Sequence, residues 1–197
     1  MALTDWFTLK SPLHLEGEGV RLRPFRSSDY PEWVELRIAS REFLQPWEPT
    51  WPSDDLTRTG FRRRLTAYQR EIDLGVGFPF LVFRESDGAM TGGVSISNVR
   101  RGVAMMGTVG YWCSARHVRQ GLTLAAVRAT AEFAFGRLGL HRLEAACVPE
   151  NKASENLLLR AGFKREGRAS AYLKINGVWR DHLTFGLLAA DLTGPRS

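Results

Sequence analysis

Residues Gly110 to Phe163 constrain this chain more than any other stretch, because they alternate strand, loop, helix, strand and helix. Gly110-Tyr111-Trp112-Cys113 leads through Arg116-His117-Val118-Arg119-Gln120-Gly121 into a predicted helix running from about residue 121 to residue 138. Leu122, Ala126, Ala129 and Phe133 share one face of it, and Gly139 supplies the stop. A strand from Arg142 to Val148 follows, then a helix headed by Asn151 that ends at Ala161-Gly162-Phe163. A long helix between two strands of one sheet makes a crossover, so this strand must run parallel to the one ending at Cys113. The loop between strand and helix suits a phosphate. The first turn of a helix has unpaired N–H groups and a partial positive charge, and Gly121 leaves the approach open. Arg116 and Arg119 add guanidinium groups, which match phosphate oxygens.

The rest of the chain fits around this unit. Val20 to Phe25 reads as a strand, with Ser28 or Asp29 capping a helix that carries Trp33, Leu36 and Ile38. Phe43 to Pro52 holds three prolines and two tryptophans, a poor helix and a good aromatic loop. A second helix is predicted from Ser53 or Asp54 to Asp73, then strands at 78–84, 91–99 and 103–113 with turns at Asp87-Gly88 and Arg101-Gly102. Residues 163–175 and 179–188 read as a hairpin around Asn176-Gly177, and the tail from Thr193 to Ser197 reads as loose.

At 197 residues, 44% of them hydrophobic, the chain suits one domain with a single core. No apolar run approaches the roughly 20 residues of a membrane span, and Met1 to Lys10 contains Asp5 and has no signal-peptide core, so a cytoplasmic protein is expected. Cys113 and Cys147 lie on different predicted strands without metal-ligand spacing and read as reduced, buried thiols. The net charge is +6 and only four of the 27 basic residues are lysine. Such a surface tolerates polyanions, whereas the run Arg62-Arg63-Arg64 reads as a solvated helix face and no nucleic-acid module signature is present.

With these residues in view, the chain resembles the GNAT superfamily of N-acetyltransferases, and within it the RimJ/RimL group of ribosomal-protein N-terminal acetyltransferases. Similarity runs through Arg21-Leu22-Arg23, Phe43-Leu44-Gln45-Pro46-Trp47-Glu48-Pro49, Ser97-Asn98-Val99-Arg100-Arg101-Gly102 and Ile175-Asn176-Gly177-Val178-Trp179-Arg180-Asp181-His182, and favours the RimJ side. The resemblance implies an α+β fold: a mostly antiparallel sheet splayed between two central parallel strands, flanked by about four helices. It implies acetyl-CoA as cofactor and a small-subunit ribosomal protein N-terminus as acceptor, the ribosome being a further candidate partner. Neither DNA nor membrane is expected as a partner, and the protein would be a monomer or homodimer.

Site residues follow from the same resemblance. Main chain at Trp112, Cys113 and Ala115 would hold the pantetheine arm. Arg116, Val118, Arg119, Gln120, Gly121, Leu122 and Thr123 would surround the diphosphate, with Asn151, Ser154 and Asn156 contributing from the next helix. The superfamily loop reads Gln/Arg-x-x-Gly-x-Gly/Ala, and here Arg119 occupies the first glycine position. Either that position needs positive φ and the arginine is strained by about 1 kcal/mol, or it does not and the side chain adds a contact to the phosphates.

Asn151 reads as a helix N-cap with Ser154 at its third position, compatible with a cofactor role. Ser154 is the candidate acid for the departing thiolate, or a structural hydroxyl; where many relatives carry a tyrosine one turn later, this chain has Leu158. Glu144 shares a strand face with Ala146, the position of the base in some relatives, and reads either as a base or as a carboxylate paired with arginine. Phe43, Leu44, Trp47, Glu48 and Trp51 form a candidate acceptor wall, Glu48 offering charge to an ammonium group. Asp181 and His182 read as support for the final strand. Acetylation of a small amine such as an aminoglycoside or polyamine, and non-catalytic binding of acyl-CoA or the ribosome, are the competing functions.

Overall fold

The computed structural model describes residues 13–193; the readings made on Met1 to Lys10 and on the tail past Thr193 lie outside them. The strands are β1 (Leu15–Gly17), β2 (Val20–Arg23), β3 (Phe78–Arg84), β4 (Met90–Arg100), β5 (Met106–Cys113), β6 (Arg142–Cys147), β7 (Lys164–Ile175) and β8 (Val178–Leu188). Among the described residues they form one sheet in the order β1-β2-β3-β4-β5-β6-β8-β7. Neighbours are antiparallel except β5 and β6, which run parallel as the crossover requires.

The helices are α1 (Tyr30–Ala39), α2 (Arg41–Leu44), α3 (Arg58–Leu74), α4 (Leu122–Gly136), α5 (Lys152–Arg160) and α6 (Ala189–Thr193). Four of these match the expected number, and α2 and α6 are single turns. None is long and apolar enough to cross a membrane. One face of the sheet packs on α4 and α5 through Phe78, Phe80, Val109, Leu122, Ala126, Phe133, Leu143 and Leu158. The other packs on α1 and α3 through Trp33, Leu36, Phe61, Leu81 and Met90, with Trp112 at its margin.

Several boundaries differ from the sequence expectations, each for a local reason. The strand expected from residue 103 starts at Met106, because the turn runs on through Val103 and Met105 takes φ 40°. The second long helix starts at Arg58 rather than at Ser53 or Asp54, because the Thr57 hydroxyl accepts the Gly60 N–H at 3.0 Å and so supplies the cap. The expected aromatic loop begins as α2 and continues as a 3₁₀ turn over Gln45–Trp47, in which Pro46 occupies a first-turn position where its missing N–H costs nothing. Residues 15–17 form a short edge strand that three residues of pattern are too few to announce. Of the arginine run, Arg62 and Arg63 are exposed as expected and Arg64 is half-buried: it pairs with Asp55 and lies over the Trp33 ring at 5.3 Å.

Strand β4 carries Gly92 and Gly93 opposite Cys113 and Trp112; Gly92 lies against the main chain of Trp112 and Cys113, and the indole of Trp112 lies on Gly93. A Cβ at Gly93 would stand 2.5 Å from Trp112 Nε1 and 3.2 Å from the Phe80 carbonyl. Gly93→Ala is therefore expected to lower stability by about 1–3 kcal/mol through overpacking, measured as a reduced urea midpoint; an unshifted midpoint would show that the indole relocates freely.

Candidate active site

The parallel pairing of β5 with β6 covers only Met106↔Arg142, Gly107↔Leu143 and Thr108↔Glu144. Beyond that level β5 stays with β4 as far as Cys113, and β6 stays with β8 as far as Cys147, so the two strands part. The cause is visible on β4. Its register with β5 slips between Ser97 and Arg100, and Asn98 sits there at φ 51°. A bulge of this kind bends a strand and raises its twist, and β5 follows β4 away from β6.

At the open end, β5 runs into the expected loop. Ser114 is fully buried; its Oγ accepts the Arg116 N–H at 3.3 Å, and the Ala115 N–H goes to Ser40 Oγ at 3.0 Å. Arg119 has φ 61° and Gly121, at the N-cap of α4, has φ 77°. The first of the two alternatives for Arg119 is thus the one realised: this position does take positive φ. No protein group accepts the N–H of Arg119, Gln120 or Gly121 among the described residues, and nothing lies within 4 Å of a Cβ placed on Gly121. Unclaimed donors beside open space at a helix start fit an anionic diphosphate.

Side chains of the loop are partly engaged with protein. Arg116 pairs with Glu35 at 2.9 Å, and the Gln120 side-chain carbonyl accepts from Arg84 at 3.0 Å. Val118 is exposed, Leu122 is buried in the core, and Thr123 reaches the thiol of Cys113. His117, only a spacer in the sequence pattern, has a buried Nδ1 without a partner, and burial with Arg84 and Arg116 nearby pushes its pKa down. Trp112 contributes main chain to this end, while its indole lies on the opposite face of the sheet near Arg37.

Across the opening, Asn151 caps α5 as expected: its Oδ1 accepts the Ser154 N–H at 3.0 Å. Ser154 Oγ lies 2.8 Å from Tyr111 Oη, a contact between β5 and α5 that spans 43 residues of sequence. Burial pushes the Tyr111 phenol far up, and pushes the Cys147 thiol up beside Ser154. Leu158 is fully buried in the core. Asn156 is exposed, two residues along the helix from Ser154 and so on a different face of it.

Glu144 is paired, with Arg142 at 3.3 Å and Arg100 at 3.4 Å, at the last level where β5 and β6 still touch. That is the second of its two expected roles. Glu48 is likewise engaged: Arg37 donates to both carboxylate oxygens at 2.9 and 2.6 Å, and Trp51 Nε1 donates to Oε2 at 2.6 Å. The offer of this charge to an ammonium group gives way to a brace, because Arg37 is buried and its guanidinium lies 4.1 Å from the Trp51 ring centre and 5.0 Å from that of Trp112. Leu44 is buried in the interior, Phe43 is exposed and Trp47 is half-buried. The β7–β8 hairpin tip completes this wall, the Asn176 N–H donating to the Glu48 carbonyl at 2.9 Å. Asp181 accepts from Ala171 N at 2.9 Å and pairs with Arg168 at 2.8 Å, pinning a bulge in β7, and His182 is buried; both support the strand as expected.

A mixed sheet parted at one parallel pair, with a glycine-headed anion cradle at the mouth, defines an acyl-CoA-dependent transferase fold. The family description "Acetyltransferase (GNAT) domain" matches residues 20–164. The chain belongs to this family of N-acetyltransferases, and acetyl-CoA is its cosubstrate. It is 34% identical to the probable N-acetyltransferase YjcK of Bacillus subtilis, over 90% of this chain and 98% of that one. It is also 34% identical to the Escherichia coli [ribosomal protein uS5]-alanine N-acetyltransferase, over 80% of this chain and 81% of the relative. Mycobacterium smegmatis RimJ, solved in complex with CoA-disulfide, superposes with a TM-score of 0.85 at 32% identity, covering 94% of this chain and 89% of that one.

Positive φ at a non-glycine residue stores strain on the order of 1 kcal/mol. Arg119→Gly is accordingly expected to raise the unfolding free energy by about that amount in denaturant titration. A loss of stability would mean that the arginine side chain, and not the backbone, governs this position.

Proposed function

We propose that the protein transfers the acetyl group of acetyl-CoA to the N-terminal α-amino group of a small-subunit ribosomal protein, alanine favoured, in the cytoplasm. The single observation that carries the chemistry is the parting of β5 and β6 after Thr108↔Glu144, which opens a slot between strand edges beside the N-termini of α4 and α5. The acceptor class rests on the Escherichia coli relative, whose name gives an alanine of ribosomal protein uS5 as its target.

In this reading the N–H groups from Val118 to Leu122 hold the diphosphate, with Arg116 and Arg119 adding charge and the side chains of Gln120, Thr123 and Asn156 lying alongside. Main chain at Trp112, Cys113 and Ala115 aligns the pantetheine arm, and N–H groups near Cys113 polarise the carbonyl. Acetyl-CoA supplies an acetyl group already activated as a thioester. Asn151 fixes the start of α5, and Ser154 delivers a proton to the departing sulfur. An α-amino group has a pKa of about 7.7–8.0, so about a tenth of it is neutral at pH 7 without help. With Glu144 held by two arginines, the proton of the attacking amine passes to water. Attack is direct, in a ternary complex. Phe43 and Trp47, on the segment that the Arg37–Glu48–Trp51 cluster braces, form the wall that admits a small first side chain.

Calorimetric titration with acetyl-CoA, followed by a screen of peptides beginning with Ala, Ser and Thr, tests this function. Micromolar binding and fastest turnover on an Ala-initiated peptide are expected. Binding without peptide turnover, but with turnover of a polyamine or aminoglycoside, would transfer the protein to the small-amine class. Because a thiol of pKa near 8.5 is a good leaving group, Ser154→Ala is expected to reduce kcat by one to two orders of magnitude, with acetyl-CoA affinity within a few-fold. An unchanged kcat would remove Ser154 from the mechanism.

A further inference from the structure

We propose that Tyr111 is a positioning residue that aims the Ser154 hydroxyl at the thioester sulfur, by donating its own phenolic hydrogen to Ser154 Oγ across the mouth of the parted strands. This rests on the reading of Ser154 as the proton donor and adds a residue to which the sequence pattern assigned no role.

Two hydroxyls 2.8 Å apart can be joined in either direction, and the Ser154 carbonyl, 3.4 Å from Tyr111 Oη, is a longer and hence weaker second acceptor for the phenol. Three facts choose one. A phenol is a far stronger acid than an aliphatic alcohol and hence the stronger donor, and a buried Tyr111 whose pKa is pushed up by desolvation keeps its hydrogen at any working pH. A serine inside a helix commonly turns its hydroxyl back to a carbonyl three or four residues earlier, but Ser154 Oγ makes no such bond and faces Tyr111 instead. Its main-chain N–H is already taken by Asn151 Oδ1 at 3.0 Å, so the residue is fixed at both ends. An oxygen that accepts from Tyr111 retains its single hydrogen for another partner. Ser154 also hydrogen-bonds the side chain of Cys147, but burial keeps that thiol neutral, and a neutral thiol is a weak acceptor that a departing thiolate outcompetes for the hydrogen. Glu155, the nearest carboxylate on α5, is engaged by Lys152 at 2.8 Å and Arg165 at 3.7 Å.

Rigidity is the other half of the argument. Tyr111 stands on β5, held on one side by β4, and its ring packs against the main core. The hydrogen bond therefore ties the serine to the same strand whose main chain flanks the slot. In the transfer, the amine nitrogen bonds to the carbonyl carbon, the carbon–sulfur bond breaks with its electron pair on sulfur, and the Ser154 proton moves to that sulfur as a proton from water reaches the serine oxygen, so that no free alkoxide forms. The proton lost by the attacking nitrogen goes to water, and the Tyr111 hydrogen steadies the serine oxygen during the relay. Tyr111 itself stays protonated throughout.

The test compares the affinities of CoA and desulfo-CoA, which lacks the sulfur, at pH 7 and pH 9.5, so that every contact except the one to sulfur cancels. A donor aimed at the sulfur favours the thiolate, and the affinity ratio should rise on the order of tenfold with pH in the unmodified protein. Tyr111→Phe and Ser154→Ala should each flatten this rise while leaving desulfo-CoA affinity unchanged, which also reports an intact fold. In turnover of an Ala-initiated peptide, Tyr111→Phe should lower kcat several-fold with KM for acetyl-CoA unaltered, and should cost nothing further when added to Ser154→Ala. A rise abolished by Ser154→Ala but preserved in Tyr111→Phe would overturn the proposal and leave the serine reading standing. A rise preserved in both would overturn the serine reading and the proposal with it, and additive losses of kcat would overturn the proposal by giving Tyr111 a separate task.

Discussion

Main-chain N–H and C=O groups inside a sheet must find partners, and β5 and β6 provide them to one another for three registers only. The remaining site features depend on that early separation. It begins at the level of the β4 bulge around Asn98, where added twist carries β5 off with its antiparallel neighbour. Past the bulge each strand ends in a turn that starts a helix, so the first turns of α4 and α5 come to flank one opening. An opening between parallel strands thus has helix-start donors at its carboxyl ends, where ligands of α/β sheets are expected to bind. Closing the pairs up to Cys113 and Cys147 would complete the ladder and remove the slot.

The acceptor side is held by a second, electrostatic device. Removing a guanidinium from water is costly, and Arg37 is compensated by a two-oxygen pairing with Glu48 and by the ring faces of Trp51 and Trp112. Trp112 lies on the strand that borders the slot, whereas Glu48 and Trp51 lie on the segment after α2, so this cluster sets the distance between them. The hairpin tip is fastened to the same segment through Asn176 and the Glu48 carbonyl. Since the β7 bulge at Ala171 is pinned by Asp181, the long hairpin is bent and anchored at both ends of its free stretch.

Local chemistry explains which of these features could be read from the chain. Phe78 to Phe83 is a continuous apolar run after a glycine, Asn176-Gly177 is a hairpin turn with positive φ at both residues, and Asn151 precedes Ser154 by the spacing of a capping bond. Each is specified within a few residues, and each appears where expected. The start of α3 depended on which polar residue would cap: Ser53 and Asp54 are the expected starts, and the hydroxyl that caps the helix is that of Thr57. The pairing of Glu144 with two arginines was legible only as a possibility, because any of many arginines could have been the partner, and that of Glu48 with Arg37 was not read from the sequence at all, the charge of Glu48 being expected to face an ammonium group. Tyr111 was invisible as a site residue, because its partner is 43 positions away and an inward tyrosine on a strand looks like ordinary core.

The charge distribution gives these parts a common logic. Ionised groups lie at the rim and are paired with protein: Arg116 with Glu35, Arg84 with Asp87, Glu144 with two arginines. The groups lining the slot itself are neutral, and burial keeps them so: the Tyr111 phenol and the Cys113 and Cys147 thiols are all pushed upward. A fixed anion there would repel a departing thiolate, and a fixed cation would bind the thiolate product too tightly to release it. Neutral dipoles that need not reorient do neither, and they act with full strength only where water is scarce. A leaving group of pKa near 8.5 needs no more than a hydroxyl held in the right direction. In the proposed mechanism the helix cap at Asn151 and the strand-borne Tyr111 together supply the direction, which is why a serine at this position would be chemically sufficient.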